Sequence, residues 1–230
     1  MPAGLFAEQL STALLKTSTG PRAFLSQISL HLRAGERVAV VGAPSSGKTQ
    51  LARTLAFLQK PSAGRVLLDD LELTRLSDSK LRGLRQRLQF VGGNPLRAVL
   101  NSQTVEEVLR EPLDIQRLGS AAERRTRVAE ALNSFELNGW LLTRPLATLS
   151  LALRQSLMLA RALVLKPRVL ITDEVVQHLE LAAAPRLLER VSAISHQHQT
   201  AWLWTTADLD LARRYADRVL VLEEGRLREA

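Results

Sequence analysis

The sequence predicts an α/β fold in which a P-loop core is built around a mainly parallel β-sheet. Short apolar runs recur at Arg37–Gly42, Leu88–Gly93 and Arg168–Glu174, and each ends in glycine or an acidic residue. Helical patterns separate these runs, including a predominantly helical stretch from Asn94 to about Leu165. Strands that alternate with helices favour a parallel sheet covered by helices. A glycine-rich motif follows the first run directly, as a phosphate-binding loop requires.

The remaining elements are predicted in order along the chain. Gly47–Leu58 has the pattern of a helix, and Gly64–Asp70 has the pattern of a strand. Two further strands are predicted at Thr200–Thr206 and Asp217–Gly225, with a helix over 208–216 between them. Within the helical stretch, glycine and proline predict breaks. These breaks are expected at Pro95, Pro112, Gly119, Gly139 and Pro145.

The length of the chain bounds its domain organisation. A chain of 230 residues suits one large domain, or a core that carries an inserted subdomain. We therefore predict a single domain over 1–230, with a helical subdomain at about 94–165 inserted in the core. Hydrophobic residues make up 46% of the chain and aromatic residues only 4%, so the core must consist mainly of aliphatic side chains.

Composition excludes several classes of site. The chain contains no cysteine, so disulfides, thiolate metal sites and iron–sulfur clusters are ruled out. We expect no signal peptide, since the first residues lack a basic patch followed by a long apolar run. No apolar run is long enough to predict a membrane span. The formal charge of +8 suits an acidic partner or an anionic membrane face, although scattered arginines also arise from codon bias alone.

The motif GAPSSGKT, from Gly42 to Thr49, fits the pattern of a phosphate-binding loop. Backbone N–H groups of such a loop and of the following helix cradle a phosphate, and glycine lets the backbone approach closely. Lys48 supplies a positive charge for the β- and γ-phosphates, and the Thr49 hydroxyl is a candidate ligand for Mg²⁺. The candidate binding residues are Gly42, Ala43, Pro44, Ser45, Ser46, Gly47, Lys48, Thr49 and Gln50.

Two adjacent acidic residues end the strand VLITDE. A phosphate loop needs a carboxylate on a neighbouring strand to hold Mg²⁺, and Asp173 is the candidate. Glu174 is then placed to act as general base towards an attacking water molecule. The predicted metal ligands are therefore Thr49 and Asp173, and the predicted catalytic residue is Glu174.

These motifs, together with LARALVLKPRVLITDE and ADRVLVLEEGRLRE, resemble the ATP-binding subunits of ABC transporters over nearly the whole chain. The segment NPLRAVLNSQTVEEVLREPL, from Asn94 to Leu113, is similar to the dipeptide, oligopeptide and nickel importer branch. The resemblance implies an ABC-type nucleotide-binding domain over 1–230. It also implies an antiparallel β subdomain at the N-terminus, an inserted α-helical subdomain, and ATP with Mg²⁺ as cofactors.

Several positions depart from the pattern of that family. The signature loop, usually LSGGQ, presents itself to the nucleotide of a partner subunit, and Leu149, Ser150, Leu151, Ala152 and Leu153 stand there in this chain. Ser150 is retained, whereas both glycines and the glutamine are replaced. These replacements predict a damaged signature loop.

The groups that contact the γ-phosphate in the family are also replaced. Gly93 stands at the position of the family glutamine, Ala207 at that of the switch histidine, and Glu180 at that of an aspartate. The stretch Lys16–Arg22 lacks the aromatic residue that stacks on adenine, for which Phe24 is a possible substitute although the core is its more expected place. A catalytic role is not expected of the exposed histidines His178, His196 and His198.

The resemblance and the departures together predict a degenerate ATP-binding subunit at the cytoplasmic face of the inner or plasma membrane. Its expected partners are a second, more complete ABC ATPase subunit, two transmembrane subunits and a solute-binding protein, and no nucleic acid. Transport of a peptide, nickel or a metal chelate is expected, with weak hydrolysis at this chain's own site. Two alternatives remain open: a nucleotide-sensing or nucleic-acid-associated ABC-type module, and a homodimeric ATPase with unusual residues.

Overall fold

The computed structural model of the chain describes residues 3–13, 15–17, 20–94, 102–180 and 182–230. The described strands are β1 Gly4–Ser11, β2 Leu15–Thr17, β3 Gly20–Arg22, β4 Ile28–Arg33, β5 Arg37–Val41, β6 Ala63–Leu68, β7 Leu71–Glu72, β8 Leu88–Gly92, β9 Val169–Asp173, β10 Ala201–Thr206, β11 Arg218–Glu223 and β12 Arg226–Glu229. The described α-helices are α1 Lys48–Leu55, α2 Asp78–Leu84, α3 Val105–Ile115, α4 Ala121–Ser134, α5 Leu151–Leu163, α6 Ala183–His198 and α7 Leu209–Tyr215. Short 3₁₀ helices lie at Leu73–Arg75, Gly139–Thr143 and Leu146–Thr148.

The main sheet is mostly parallel, as predicted. Among the described residues its strand order is β12-β11-β5-β10-β9-β8, and only β12 runs antiparallel to its neighbour. The carboxyl ends of β5, β8, β9 and β10 therefore meet at one edge of the sheet. Because parallel strands bring their carboxyl ends together, residues distant in sequence are gathered at that edge.

A separate antiparallel sheet lies at the N-terminal side of the chain, as the resemblance implied. Its order in the described part is β4-β1-β6-β7, and each neighbouring pair is antiparallel. Strand β1 changes register within both of its pairings, between Ala7 and Leu10 against β4 and between Glu8 and Ser11 against β6. Such a shift marks a bulge, which bends a strand and increases its twist.

The main sheet is the middle layer, since its two faces contribute to different hydrophobic clusters. One cluster joins helices α3, α4, α5, α6 and α7 to one face of the sheet through Ala39, Leu170, Trp202 and Trp204. The other joins the antiparallel sheet and α1 to the opposite face through Val38, Ile171 and Leu203. Alternation along β10 thus sends Trp202 and Trp204 to the helical side, where their rings stack at 5.5 Å.

The helical stretch contains two capping boxes. The Thr104 hydroxyl accepts from the Glu107 amide and the Glu107 carboxylate accepts from the Thr104 amide at 2.8 Å, so that α3 begins sharply. Ser120 and Glu123 make the reciprocal pair at the start of α4. Such pairs satisfy amide groups that have no partner within the helix.

The predicted break at Pro112 is wrong, because this proline lies inside α3. A proline removes one backbone donor, and the helix continues for three residues before it ends at Ile115. The expected break at Gly119 falls between α3 and α4, where glycine adopts φ +76°. The break expected at Pro95 lies outside the described residues. None of the helices in the described part of the chain combines the length and apolar character that a membrane crossing requires.

Element ends differ from the predictions by one to three residues. The helix predicted over Gly47–Leu58 ends at Leu55, and Phe57 then adopts a left-handed φ of 52°. The strand predicted to include Glu174 ends at Asp173, because Glu174 also has a left-handed φ of 52°. Both elements thus end shortly before a residue with left-handed φ.

Candidate nucleotide site

The loop between β5 and α1 has glycine where only glycine fits. Gly47 has φ 107°, and a Cβ there would lie 2.8 Å from the Phe24 carbonyl oxygen. A Cβ on Gly42 would lie 2.6 Å from Ser46 Oγ and 2.7 Å from the Leu222 carbonyl oxygen. The loop therefore packs its backbone closely against its neighbours and leaves the first-turn amides of α1 at its open end.

Lys48 is almost fully buried, with 3% of its surface exposed. Its Nζ donates to the carbonyl oxygens of Gly42 at 2.8 Å and Ala43 at 3.1 Å. The same atom lies 3.2 Å from Glu174 Oε1. An ammonium group has three donors, so these three partners hold it inside the loop and against the acidic strand end.

Asp173 and Glu174 lie at the carboxyl end of β9, beside the phosphate loop. Asp173 is 8% exposed and pairs in register with Gly92 of β8 and Thr205 of β10. The neighbouring pair Thr206 and Val41 brings the end of β5 to the same level. Strand β10 alone separates β5 from β9, which explains how the Lys48–Glu174 ion pair can form.

The acidic residues are also tied to β10 by hydrogen bonds. Thr205 Oγ1 donates to Asp173 Oδ1 at 2.7 Å and accepts from the Glu174 amide at 3.1 Å. The Glu174 amide lies 3.3 Å from the Thr205 carbonyl oxygen as well. These contacts fix the backbone at the point where the chain leaves the strand.

Oxygen groups suited to Mg²⁺ border one cleft of about 370 Å³. Thr49 and Asp173 both line it, together with Gly92 and Gly93. A hydroxyl and a carboxylate oxygen are donors of the kind that Mg²⁺ prefers, and the ion usually keeps water in its remaining positions. Among the described residues no cluster of three or more histidine or acidic side chains competes as a metal site.

Two buried polar atoms in this region have no hydrogen-bond partner within the described part of the chain. Ser46 Oγ and Gln50 Oε1 are buried without a hydrogen bond. Buried polar atoms are normally satisfied, by protein, by water or by a ligand. A hydroxyl donor in the loop and an amide oxygen on the first turn of α1 fit a site that takes a phosphate group and a hydrated cation.

Gly93 lies against the acidic strand end. A Cβ on this residue would be 2.9 Å from the Glu174 carbonyl oxygen and 3.2 Å from that of Asp173. The backbone at the family's glutamine position is thus packed more tightly than a side chain would allow. The segment that follows, 95–101, lies outside the described residues.

Ala207 has open space on both sides. It is exposed and borders a cavity of about 500 Å³ shared with Gly42, Ala43 and Pro44. It also borders a cavity of about 310 Å³ shared with Glu174. The position of the family's histidine is therefore close to both the phosphate loop and Glu174.

The segment predicted to be the signature loop begins a regular helix. The exposed Ser150 is the N-cap of α5, and its hydroxyl accepts from the Leu153 amide at 3.4 Å. Leu149 is buried, whereas Leu151 is 39% exposed at the first helical position. Ala152 and Leu153 lie within the helix and are partly buried. The loop is therefore well formed, with an apolar side chain where the family has a glycine.

The other candidates from the sequence lie away from the acidic pair. Phe24 is partly buried and its backbone carbonyl packs on Gly47. His178 and Glu180 are exposed in the loop after β9. His196 and His198 end α6 just before β10 begins, which is the opposite edge of the sheet from Asp173. Burial, and then Lys166, lower the pKa of His198, which is consistent with a neutral side chain in a partly buried position.

Two residues near the site were not singled out from the sequence. Thr205 contacts both acidic residues, and the only sequence signal was the pair of threonines, Thr205 and Thr206, that ends an otherwise apolar strand. Gln155 of α5 is 1% exposed, and its Nε2 donates to the Gly92 carbonyl oxygen at 3.4 Å. Gln155 thus connects the helix after the signature loop to the strand that precedes Gly93.

Comparison with known proteins agrees with this geometry. The model of the family described as ABC transporter matches residues 25–177, which include the phosphate loop, the acidic pair and the signature loop. The chain belongs to the ABC transporter family. Proteins of this family use ATP with Mg²⁺, and membership implies ATP hydrolysis.

Relatives within the ABC transporter family indicate the branch to which the chain is similar. It is 34% identical to the nickel import ATP-binding protein NikE of Escherichia coli O6:K15:H31, over 90% of this chain and 78% of that protein. The same figures hold for the nickel import ATP-binding protein NikE of Shigella flexneri. The resemblance to the branch that includes nickel importers is thereby confirmed.

Solved structures of ABC transporter cassettes have the same fold. The dimeric structure of MJ0796, a bacterial ABC transporter cassette, superposes with a TM-score of 0.87 at 23% identity and covers 98% of this chain and 97% of that one. The structure of cbiO1 from Clostridium perfringens, part of the ABC transporter complex cbiONQ, gives a TM-score of 0.86 at 25% identity. It covers 99% of this chain and 88% of that one.

Proposed function

We propose that this chain is the ATP-binding subunit of an ABC importer that retains nucleotide binding and leaves most hydrolysis to a partner ATPase. One arrangement carries the proposal: the Lys48–Glu174 pair and Asp173 stand together, while Gly93 and Ala207 flank them without a side chain that reaches a phosphate. Binding groups act on the β-phosphate and on Mg²⁺ without the missing contacts. Loss of the γ-phosphate contacts would mainly lower the rate of hydrolysis.

The transported solute is proposed from relatives. The relatives in Escherichia coli and Shigella flexneri are nickel import proteins, which supports nickel or a metal chelate as the solute. A peptide is the alternative suggested by the resemblance of the segment from Asn94 to Leu113. We propose that two transmembrane subunits and a solute-binding protein select this solute. The chain would then lie at the cytoplasmic face of the membrane as a peripheral subunit, without a nucleic-acid partner.

The membrane subunit is proposed to dock near the segment from Gly93 to Leu113. Residues 95–101 of this segment lie outside the described residues. The described part, Thr104 and the first turns of α3, is held by a capping box and by the buried residues Val105 and Leu109. Cross-linking of a membrane subunit to β11 or β12 and not to this segment would contradict the docking proposal.

The domain organisation proposed from the sequence goes with this function. We retain a single nucleotide-binding domain over 1–230 with a helical subdomain at about 94–165. The described helices α3, α4 and α5 all lie between β8 and β9 in the chain, which supports the proposed insertion. The signature loop at the start of α5 would then face a partner's nucleotide.

The proposed site residues can be divided by role. Nucleotide binding is assigned to Gly42–Gln50 with Asp173, and Mg²⁺, which would neutralise phosphate charge, to Thr49 and Asp173. Glu174 is assigned the role of general base. The signature loop Leu149–Ala152 is assigned to the partner's nucleotide.

Nucleotide binding is tested first. We expect the isolated chain to bind MgATP and Lys48→Ala to bind it at least about tenfold more weakly, since hydrogen bonds to charged groups are worth roughly 1.5–3 kcal/mol. Isothermal titration calorimetry of both proteins measures this difference. Lys80→Ala, which removes an exposed lysine from α2, is a suitable control. Equal affinities for wild type and Lys48→Ala would refute the assignment of the phosphate loop.

The proposed difference in hydrolysis between the two nucleotide sites is tested in the assembled transporter. Glu→Gln in the partner ATPase is expected to remove nearly all hydrolysis, whereas Glu174→Gln leaves most of it. The reason is that the site formed by this chain's own phosphate loop and acidic pair lacks two γ-phosphate contacts, and each ~1.4 kcal/mol at the transition state changes the rate about tenfold. If Glu174→Gln alone stopped turnover, the assignment of the two sites would be reversed.

A further inference from the structure

Thr205 is the described side chain that contacts both acidic residues of the site through one atom. It lies on β10 and is 1% exposed. Its Oγ1 is 2.7 Å from Asp173 Oδ1 and 3.1 Å from the Glu174 amide nitrogen. Strand β10 also separates the phosphate loop from the acidic strand end, so Thr205 lies between the two halves of the site.

The direction of both hydrogen bonds follows from the chemistry of the groups. An amide N–H cannot accept, so the threonine oxygen must be its acceptor. The single hydroxyl proton is then free to donate to the Asp173 carboxylate, which is an acceptor when ionised. The hydroxyl therefore has one orientation, in which its proton occupies one acceptor site of Asp173 Oδ1.

The second contact supports an unfavourable backbone conformation. Glu174 has φ 52°, and a left-handed residue other than glycine has to be held by its surroundings. Its amide has the Thr205 hydroxyl at 3.1 Å and the Thr205 carbonyl oxygen only at 3.3 Å. Loss of the hydroxyl would leave the Glu174 amide with the longer contact as its acceptor.

We propose that Thr205 is a positioning residue that orients the Asp173 carboxylate for Mg²⁺ and fixes the turn at Glu174. The proposal rests on the nucleotide-binding function proposed above. It adds that this site depends on a hydroxyl in the strand between the phosphate loop and the acidic pair. Thr205 acts through Asp173 and Glu174 and is not itself assigned a contact with nucleotide.

The same strand region offers a matched control. Thr200 immediately precedes β10, is fully buried, and its hydroxyl donates to the Pro167 carbonyl oxygen at 2.7 Å. It lies at the opposite edge of the sheet from Asp173. Thr200→Val and Thr205→Val each remove one buried hydroxyl and keep the shape of the side chain.

The test measures how strongly Mg²⁺ enhances ATP binding. Kd for a fluorescent ATP analogue is determined with Mg²⁺ and with EDTA for wild type, Thr205→Val, Thr205→Ser and Thr200→Val. We expect the enhancement to fall about tenfold or more in Thr205→Val, since a hydrogen bond to a charged group is lost. Thr205→Ser should restore it, and Thr200→Val should retain it. Circular dichroism checks that each variant is folded. If Thr205→Val does not fold, Thr205→Ala is used in its place.

The outcomes separate this inference from the function on which it rests. If wild type does not bind MgATP, the proposed function fails. If wild type binds and Thr205→Val keeps the full enhancement, the positioning role is overturned. Equal losses in Thr205→Val and Thr200→Val, or equal losses with Mg²⁺ and with EDTA, overturn it as well, because either result is a general effect of a buried hydroxyl.

Discussion

Substitution of Gly93 gives the sharpest prediction from the packing of this site. In the family a glutamine stands here, so Gly93→Gln looks like a simple repair. The structure predicts the opposite, because a Cβ at this residue would lie 2.9 Å from the Glu174 carbonyl oxygen and 3.2 Å from that of Asp173. Both atoms belong to the backbone of the acidic strand end, so neither can move aside as the end of a flexible side chain would.

The magnitude follows from that contact. Overpacking in a well-packed region costs about 1–3 kcal/mol. For a chain of this length, 1 kcal/mol corresponds to about 2–4 °C in the melting temperature. We therefore expect Gly93→Ala and Gly93→Gln to lower the Tm by about 2–12 °C. We also expect weaker MgATP binding, since relief of the clash shifts Asp173 and Glu174.

Gly83 offers a matched control. It lies in α2, and a Cβ there would meet nothing within 4 Å. Gly83→Ala should therefore stabilise the chain by about 0.4–1 kcal/mol, through a lower entropy of the unfolded state. Thermal unfolding by circular dichroism and urea unfolding of the variants measure the difference. A Gly93→Ala protein as stable as Gly83→Ala, with unchanged affinity for MgATP, would refute the reasoning.

Two further predictions concern Ala207 and His31. Ala207→His should be tolerated because open cavities flank Ala207. It should raise hydrolysis at this chain's own site about 10- to 100-fold, measured in a transporter whose partner ATPase carries Gln in place of its catalytic Glu. An unchanged rate would contradict this prediction. Burial, followed by Arg33, lowers the pKa of His31, so the unfolded chain binds its proton more readily and stability should fall as the pH drops below about 6.5. His31→Phe should reduce that loss between pH 7 and 5, measured as urea midpoints, and an unchanged loss would contradict this prediction.

The fold was predictable from the sequence because the strands around the site are strongly apolar and end in motifs of known geometry. Arg37–Gly42 and Arg168–Glu174 were assigned to within a residue or two of β5 and β9. Pro112 was misassigned, since a proline near the end of a helix removes only one donor and packing can retain the last turn. Strand β12 was not predicted, because RLRE has no apolar alternation of useful length.

The site was only partly predictable, for a physical reason. Motifs identify groups that recur at fixed spacing, so the phosphate loop, Asp173 and Glu174 could be proposed from the sequence. Thr205 and Gln155 reach the site through tertiary packing, at separations of 31 and 63 residues from Glu174 and Gly92. The close approach of Gly93 to the acidic strand end is likewise a property of the backbone, and the residue types in the sequence do not indicate it.

The ion pair between Lys48 and Glu174 imposes an order of events on the site. The ammonium has three protons, and each already faces an oxygen: two in the loop backbone and one on the carboxylate. An incoming phosphate oxygen must take the place of one of them, and the carboxylate is the partner whose side chain can swing away. In the base role proposed for Glu174, its carboxylate would turn towards water only after a phosphate oxygen has replaced it beside Lys48. The ion pair would thus hold the proposed base away from water until nucleotide binds.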